Sequence, residues 1–157
     1  RAKTLCAAAG TTLVINDYWQ MALEEGCDFI HLGQEDLVDA DLDAIRKAKC
    51  RLGISTHDPD ELDLALSTKP DYVALGPVFP TTLKQLDWAP QGVGRVTDWK
   101  KRVGSVPLVA IGGLNVERAT AVLDAGADSA AVSTDVLGHA DPEARAREWV
   151  ALSRARA

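Results

Sequence analysis

The stretch GCDFIHLG, residues 26–33, decides the fold. A glycine turn and an acid lead into a short apolar-leaning run that closes on a small residue. KPDYVALG (69–76) and GADSAAVS (126–133) repeat this order of turn, Asp, apolar run and small residue. Self-similarity of this kind marks a repeated supersecondary unit. Each copy is followed by polar residues and then by helical periodicity, so the unit is a strand followed by a helix.

Working outward from residues 26–33 gives six strands, at 12–16, 28–33, 51–56, 71–76, 107–113 and 129–134. Their near-continuous apolarity predicts a parallel sheet covered on both faces. The helices between them carry ordinary punctuation. One opens at Asp17 or Tyr18 and stops near Gly26, another opens at Asp58-Pro59, a third runs from Asn115 to Gly126, and the last starts at Asp141-Pro142. The fold class expected is α/β, a TIM (β/α)8 barrel with six βα units visible and the first two strands lacking. Two such units would add about 50 to 60 residues. A single domain is expected over residues 1–157, truncated at its N-terminus. Asp28, Asp71 and Asp128 stand where strands begin, the end of such barrels that serves stability more than chemistry.

Composition narrows the partners. A formal charge of -6 and a pI near 5.0, with acids and bases interspersed, leave no basic stripe for nucleic acid. Cys6, Cys27 and Cys50 are odd in number and form no CxxC pair, which suits a reducing cytoplasm better than a disulfide framework or a zinc site. No apolar run approaches the roughly 18 to 20 residues that span a bilayer, so no membrane partner is expected.

In parallel α/β folds the active site is built just beyond the strand C-termini. Those positions hold Asn16, Asp17, Gln34, Glu35, Asp36, Ser55, His57, Pro80 to Lys84, Gly112, Gly113, Ser133 and Thr134. Asp17 and Asp36 follow neighbouring strands, about 4.8 Å apart in such sheets, and could share one hard cation, for which Mg2+ is the natural candidate. The plainer reading makes Asp17 a helix cap. Thr81, Thr82 and Lys84 in GPVFPTTLK offer hydroxyls and an ammonium to phosphate. Gly112 and Gly113 ahead of a helix, with Ser133 and Thr134 on the next strand, form a second anion-binding region. His57 suits either acid-base work or capping of the helix that follows it. His31, inside a strand, and His139 are read as structural, and Trp19, Trp99 and Trp149 as packing. Trp88, in the loop between the two phosphate regions, could cover a ligand.

The order INDYWQMALEEGCDFIHLGQEDL, GISTHDPDEL, YVALGPVFPTTLKQLDWAPQG, VPLVAIGGL and GADSAAVST resembles the thiamine-phosphate synthase family from end to end. The resemblance implies a magnesium-dependent transferase of thiamine biosynthesis with two small-molecule substrates, a pyrimidine pyrophosphate and a thiazole phosphate. It implies that Asp17 and Asp36 bind the metal, that Asn16 and Lys84 hold the pyrophosphate, and that Ser55 contacts the pyrimidine or pyrophosphate side. Thr81, Gly113 and the Ser133-Thr134 backbone would hold the thiazole phosphate. The family's chemistry is a dissociative substitution, which needs leaving-group stabilisation and no protein nucleophile. Ser55 and Lys84 are therefore the residues expected to carry it.

Two departures qualify the resemblance. Leu83 in PTTLK stands where the family often has a hydroxyl, which Thr82 would have to supply. The family's Arg- and Lys-bearing strand motif is absent, so the chain is expected to have little activity alone. Two rival readings stand beside it. A related thiazole tautomerase uses a histidine in a segment like Ser55-Thr56-His57, but its relatives generally lack the paired acids and the lysine. A non-catalytic barrel fragment that binds thiazole phosphate is the other, and open sheet edges would favour a homo-oligomer.

Overall fold

The computed structural model describes residues 1–81 and 88–156. These form two compact units, Arg1–Ala74 and Leu75–Ala157.

The first unit runs α1 (Ala2–Ala8), β1 (Ile15–Asn16), α2 (Trp19–Glu24), β2 (Phe29–Leu32), α3 (Gln34–Asp39), α4 (Leu42–Lys47), β3 (Arg51–Thr56) and α5 (Pro59–Ser67). It closes on β4 (Tyr72–Leu75), whose last residue belongs to the second unit. The strand order is β1-β2-β3-β4, and β1 with β2 and β2 with β3 pair in parallel. Side chains alternate as a pleated strand requires. On β2, Ile30 and Leu32 are fully buried while Phe29 and His31 are partly exposed on the opposite face. Ile30 and Leu32 join Leu52 and Ile54 of β3 in the core, with Ala22, Leu37, Ile45, Leu62 and Ala65 from the helices. Each leucine or isoleucine so buried contributes about 1.5–3 kcal/mol of transfer free energy.

The second unit holds α6 (Gly92–Val103), β5 (Leu108–Ile111), α7 (Val116–Asp124), β6 (Ser129–Ala131), α8 (Thr134–Leu137) and α9 (Pro142–Arg154). Strands β5 and β6 pair in parallel, with Val109 opposite Ser129. Val96 and Trp99 of α6, Leu108 and Ala110 of β5, and Ala119 and Val122 of α7 are buried together in its core.

The repeat seen in the sequence has a hydrogen-bond basis. Asp71 donates its N–H to Leu52 O and accepts the Leu52 N–H on Oδ2, both at 2.7 Å. Asp128 treats Leu108 in the same way, at 2.8 and 2.7 Å. Each acid therefore laces its strand to the preceding one and satisfies a backbone amide that would otherwise be orphaned. Burial would raise the Asp128 carboxyl, but hydrogen bonds from Lys100 and Leu108 and the Lys100 charge outweigh it and hold the pKa below the usual range. Asp28 is tied more loosely, to Arg51 at 3.4 Å.

The expected caps form. Asp58, Asn115 and Asp141 accept from the backbone N–H groups of Glu61, Arg118 and Ala144. Strand β3 has the bounds that the sequence predicts, and the other strands are shorter. Strand β1 spans Ile15–Asn16 rather than 12–16, because it ends the sheet order and pairs with β2 through Ile15 and Asn16. A second difference lies between β2 and β3, where the chain forms two helices, α4 starting afresh with Asp41 accepting from Ala44 N–H.

Candidate functional site

In the first unit, Asn16, Asp17, Gln34, Asp36 and Ser55 stand at or just beyond the ends of β1, β2 and β3. Asn16 ends β1, and Asp17 follows in the left-handed region at φ 67. That conformation costs an L-residue about 1–2 kcal/mol and persists where the surroundings impose it. Here the Asp17 N–H donates to His31 O, and the Asp17 carbonyl accepts from Trp19 N–H, both at 2.8 Å. Asp17 does not cap α2. The cap residue is Tyr18, which makes no side-chain cap bond, and Trp19 is the first helical residue. Asp36 lies in the first turn of α3, where an acid also complements the helix dipole. Its Oδ2 sits so close over Gly33 that a Cβ there would come within 3.1 Å.

Ser55 is held from two sides. Its backbone carbonyl accepts from Gln34 Nε2 at 2.6 Å, and its Oγ lies 2.8 Å from His31 Nε2. The other imidazole nitrogen, Nδ1, is 2.7 Å from Tyr72 Oη, and the two rings stack with centroids 5.4 Å apart. Burial lowers the His31 pKa to about 4 and pushes the Tyr72 hydroxyl up to about 12. The sequence reading set His31 aside as structural and did not single out Tyr72. The available signal was the period-two pattern, which puts the imidazole of FIHL on the face opposite Ile30 and Leu32.

His57 stands just before the Asp58 cap and is tied to the helix that follows it. Its N–H and its Nδ1 both contact Glu61 Oε2 at 2.7 Å, bracing the start of α5 beside the Asp58 cap. His139 is exposed, with Nδ1 accepting from Asp141 N–H.

In the second unit, residues 78–80 run alongside 111–113. Val78 N–H donates to Ile111 O at 2.9 Å and Phe79 N–H to Gly112 O at 3.0 Å. Gly112 and Gly113 have φ of 98 and 63. A Cβ on Gly113 would lie 2.3 Å from Pro80 O, so the double glycine is demanded by both conformation and space. Thr81 follows, half-buried. Arg118 was not anticipated: its Nη1 donates to Gly113 O at 2.6 Å and its guanidinium lies over Phe79, fixing the glycine turn against residues 78–80. Ser133 precedes α8, and its carbonyl accepts from Val136 and Leu137 N–H. Trp88 is exposed. Thr82, Leu83 and Lys84 lie outside the described residues. Among the described residues, a cleft of about 480 Å3 is lined by Asp128, Ser129, Trp149 and Arg156 at the beginning of β6.

Among the described residues no group of three or more His, Cys, Asp or Glu side chains could hold a metal. A closed protein cage is therefore not formed there. Asp17 and Asp36 each carry hard oxygen donors, the type that hard cations take.

The sequence profile described as thiamine monophosphate synthase matches residues 1–136. The chain belongs to the thiamine monophosphate synthase family. Relatives within it include the thiamine-phosphate synthase of Rhizobium etli, 66% identical over 153 residues, or 98% of this chain and 75% of that protein. The thiamine-phosphate synthase of Neisseria meningitidis serogroup B is 47% identical over 97% of this chain and 74% of its own length. Among solved structures, the thiamine phosphate pyrophosphorylase of Pyrococcus furiosus superposes with a TM-score of 0.82 at 27% identity, over 95% of this chain and 70% of that one.

Proposed function

We propose that this synthase-family chain joins a pyrimidine, carried as its pyrophosphate, to a thiazole phosphate, giving thiamine phosphate and pyrophosphate. The observation that carries this reading is the 66% identity to the Rhizobium etli thiamine-phosphate synthase across 98% of the chain. The six βα units are read as six of the eight in a (β/α)8 barrel, supported by the superposition on the Pyrococcus furiosus protein over 70% of that chain.

The residues divide by charge and by unit. In the first, Asn16, Asp17, Asp36 and Ser55 serve the pyrimidine pyrophosphate. Bound Mg2+, held by Asp17 and Asp36, would neutralise pyrophosphate oxygens. In the second, the Gly112-Gly113 turn, Thr81 and the Ser133-Thr134 backbone serve the thiazole phosphate, and Thr82 and Lys84 add a hydroxyl and an ammonium. The bond from the pyrimidine methylene carbon to the leaving oxygen breaks, its electrons leave with pyrophosphate, and the thiazole nitrogen supplies the pair for the new C–N bond. No step needs a protein nucleophile. The chain's part is to orient two anions and stabilise charge on the one that departs.

The test is incubation of the chain with both substrates, with and without Mg2+, following both products. Equal amounts of thiamine phosphate and pyrophosphate, formed in the presence of the metal, are expected. Metal-independent conversion of a thiazole phosphate without pyrophosphate release would favour the tautomerase reading. Failure to form either product at saturating substrate would place the chemistry outside these residues.

A further inference from the structure

We propose that Tyr72 and His31 act as positioning residues that fix the polarity of the Ser55 hydroxyl, leaving its proton free to be donated to an acceptor atom of the bound pyrimidine pyrophosphate. The inference rests on the synthase reading for the identity of that ligand, and on geometry for everything else.

Strand register assembles the device. His31 on β2 is the register partner of Gly53 on β3, and Ser55 lies two residues further along β3, on the same face. Gly53 has no side chain, and that absence is required. A Cβ there would come within 2.2 Å of Tyr72 Cε1 and Cζ. The Tyr72 ring, brought by β4, occupies this space, stacks on His31 and reaches Nδ1 with its hydroxyl. Phe29, two residues before His31, packs edge-on against the same ring with centroids 5.6 Å apart and holds it from the other end.

The direction of the hydrogen bonds follows from accounting. Among the described residues, His31 Nδ1 is the one hydrogen-bond partner of Tyr72 Oη. A part-buried hydroxyl with one partner loses least by donating to it, because accepting would leave its own proton unsatisfied. Nδ1 is then the acceptor, and in a neutral imidazole the remaining proton sits on Nε2. That N–H donates to Ser55 Oγ across 2.8 Å. Ser55 Oγ, already an acceptor from His31, keeps its own O–H for a third party. Gln34 Nε2, on the Ser55 carbonyl, fixes the backbone from which the hydroxyl projects. A serine held this way is an oriented donor. The opposite polarity, with Ser55 donating to His31, would make it a candidate nucleophile.

Two measurements on the chain test this. In the first, nitrogen-15 NMR of labelled histidine at neutral pH reads the tautomer. His31 is expected to show a pyridine-type Nδ1 and a pyrrole-type Nε2, and Tyr72→Phe to mix the tautomers. A pyrrole-type Nδ1, or two pyrrole-type nitrogens, in the unsubstituted chain would overturn the proposal whether or not the chain turns over substrate. In the second, calorimetry with pyrimidine pyrophosphate and Mg2+ reads the consequence. Ser55→Ala is expected to weaken binding about tenfold, the loss of one hydrogen bond to a charged group. Tyr72→Phe should weaken it by less, and the double variant should bind no worse than Ser55→Ala. Additive losses, or a Tyr72→Phe chain that binds normally despite mixed tautomers, would contradict the positioning role. No binding by the unsubstituted chain, with the expected tautomer present, would instead count against the synthase reading of the ligand.

Discussion

Tyr72 Oη meets His31 Nδ1 at 2.7 Å over the Cα of Gly53, on a strand that contributes no side chain at that level. The contact joins residues 41 apart in sequence, and it depends on the β2–β3 register as much as on the two residues themselves.

Gly53→Ala should therefore act through Tyr72. An added methyl at 2.2 Å from the ring forces the tyrosine off its histidine partner, and overpacking of this kind costs about 1–3 kcal/mol. Urea unfolding should show that loss, and Tyr72→Ala in the same background should recover part of it by vacating the space. Equal stability of Gly53→Ala and the unsubstituted chain would mean that the ring is not seated as described.

Acid should weaken the first unit through His31. Its folded pKa is depressed from 6.5 to about 4, so the unfolded chain binds the proton more readily between those values. Stability from the neutral ring is thus fully present above about pH 6.5 and is lost as the pH falls toward 4, with about 2 kcal/mol gone by pH 5. Denaturant midpoints at pH 7 and 5 check this, and a His31→Gln chain should lose that part of the difference.

The strand-lacing acids predict a local effect. Asp128→Ala removes the acceptor for Leu108 N–H and the partner of Lys100. A cost of about 1–3 kcal/mol is expected for the orphaned amide. Hydrogen exchange at Leu108 should accelerate more than exchange at Leu52, which Asp71 still protects.

Much of this was legible beforehand, for reasons that lie in particular residues. Asp58, Asn115 and Asp141 cap their helices as read because capping is decided within a few residues of chain. The FIHL and YVAL strands followed from short apolar runs that open on a turn and an Asp and close on a small residue. The role of Asp71 and Asp128 in strand pairing was half visible, since their position at strand entries is local but their partners lie 19 and 20 residues away. His31 and Tyr72 were not legible as a pair, because only register places them on one face with Gly53 between them. Arg118 was hidden likewise: its hold on Gly113 O depends on the turn that the double glycine makes.

Gly113→Ala should impair the second unit's anion region. The substitution meets both a φ of 63 and Pro80 O at 2.3 Å. Affinity for thiazole phosphate should fall at least about tenfold if the turn supplies one charge-assisted hydrogen bond, while pyrophosphate binding in Mg2+ is unchanged. Isothermal titration with each ligand separates the two.

Asp17 bears most directly on the proposed chemistry, and asparagine is the informative replacement because it tolerates the left-handed backbone while removing the charge. The decisive measurement is calorimetric titration of inorganic pyrophosphate into the chain, with and without Mg2+, and again into Asp17→Asn. Binding that requires Mg2+ and is lost in Asp17→Asn is predicted. Binding that survives metal chelation, or that Asp17→Asn leaves intact, would contradict the assignment of Asp17 and Asp36 to a magnesium-pyrophosphate site.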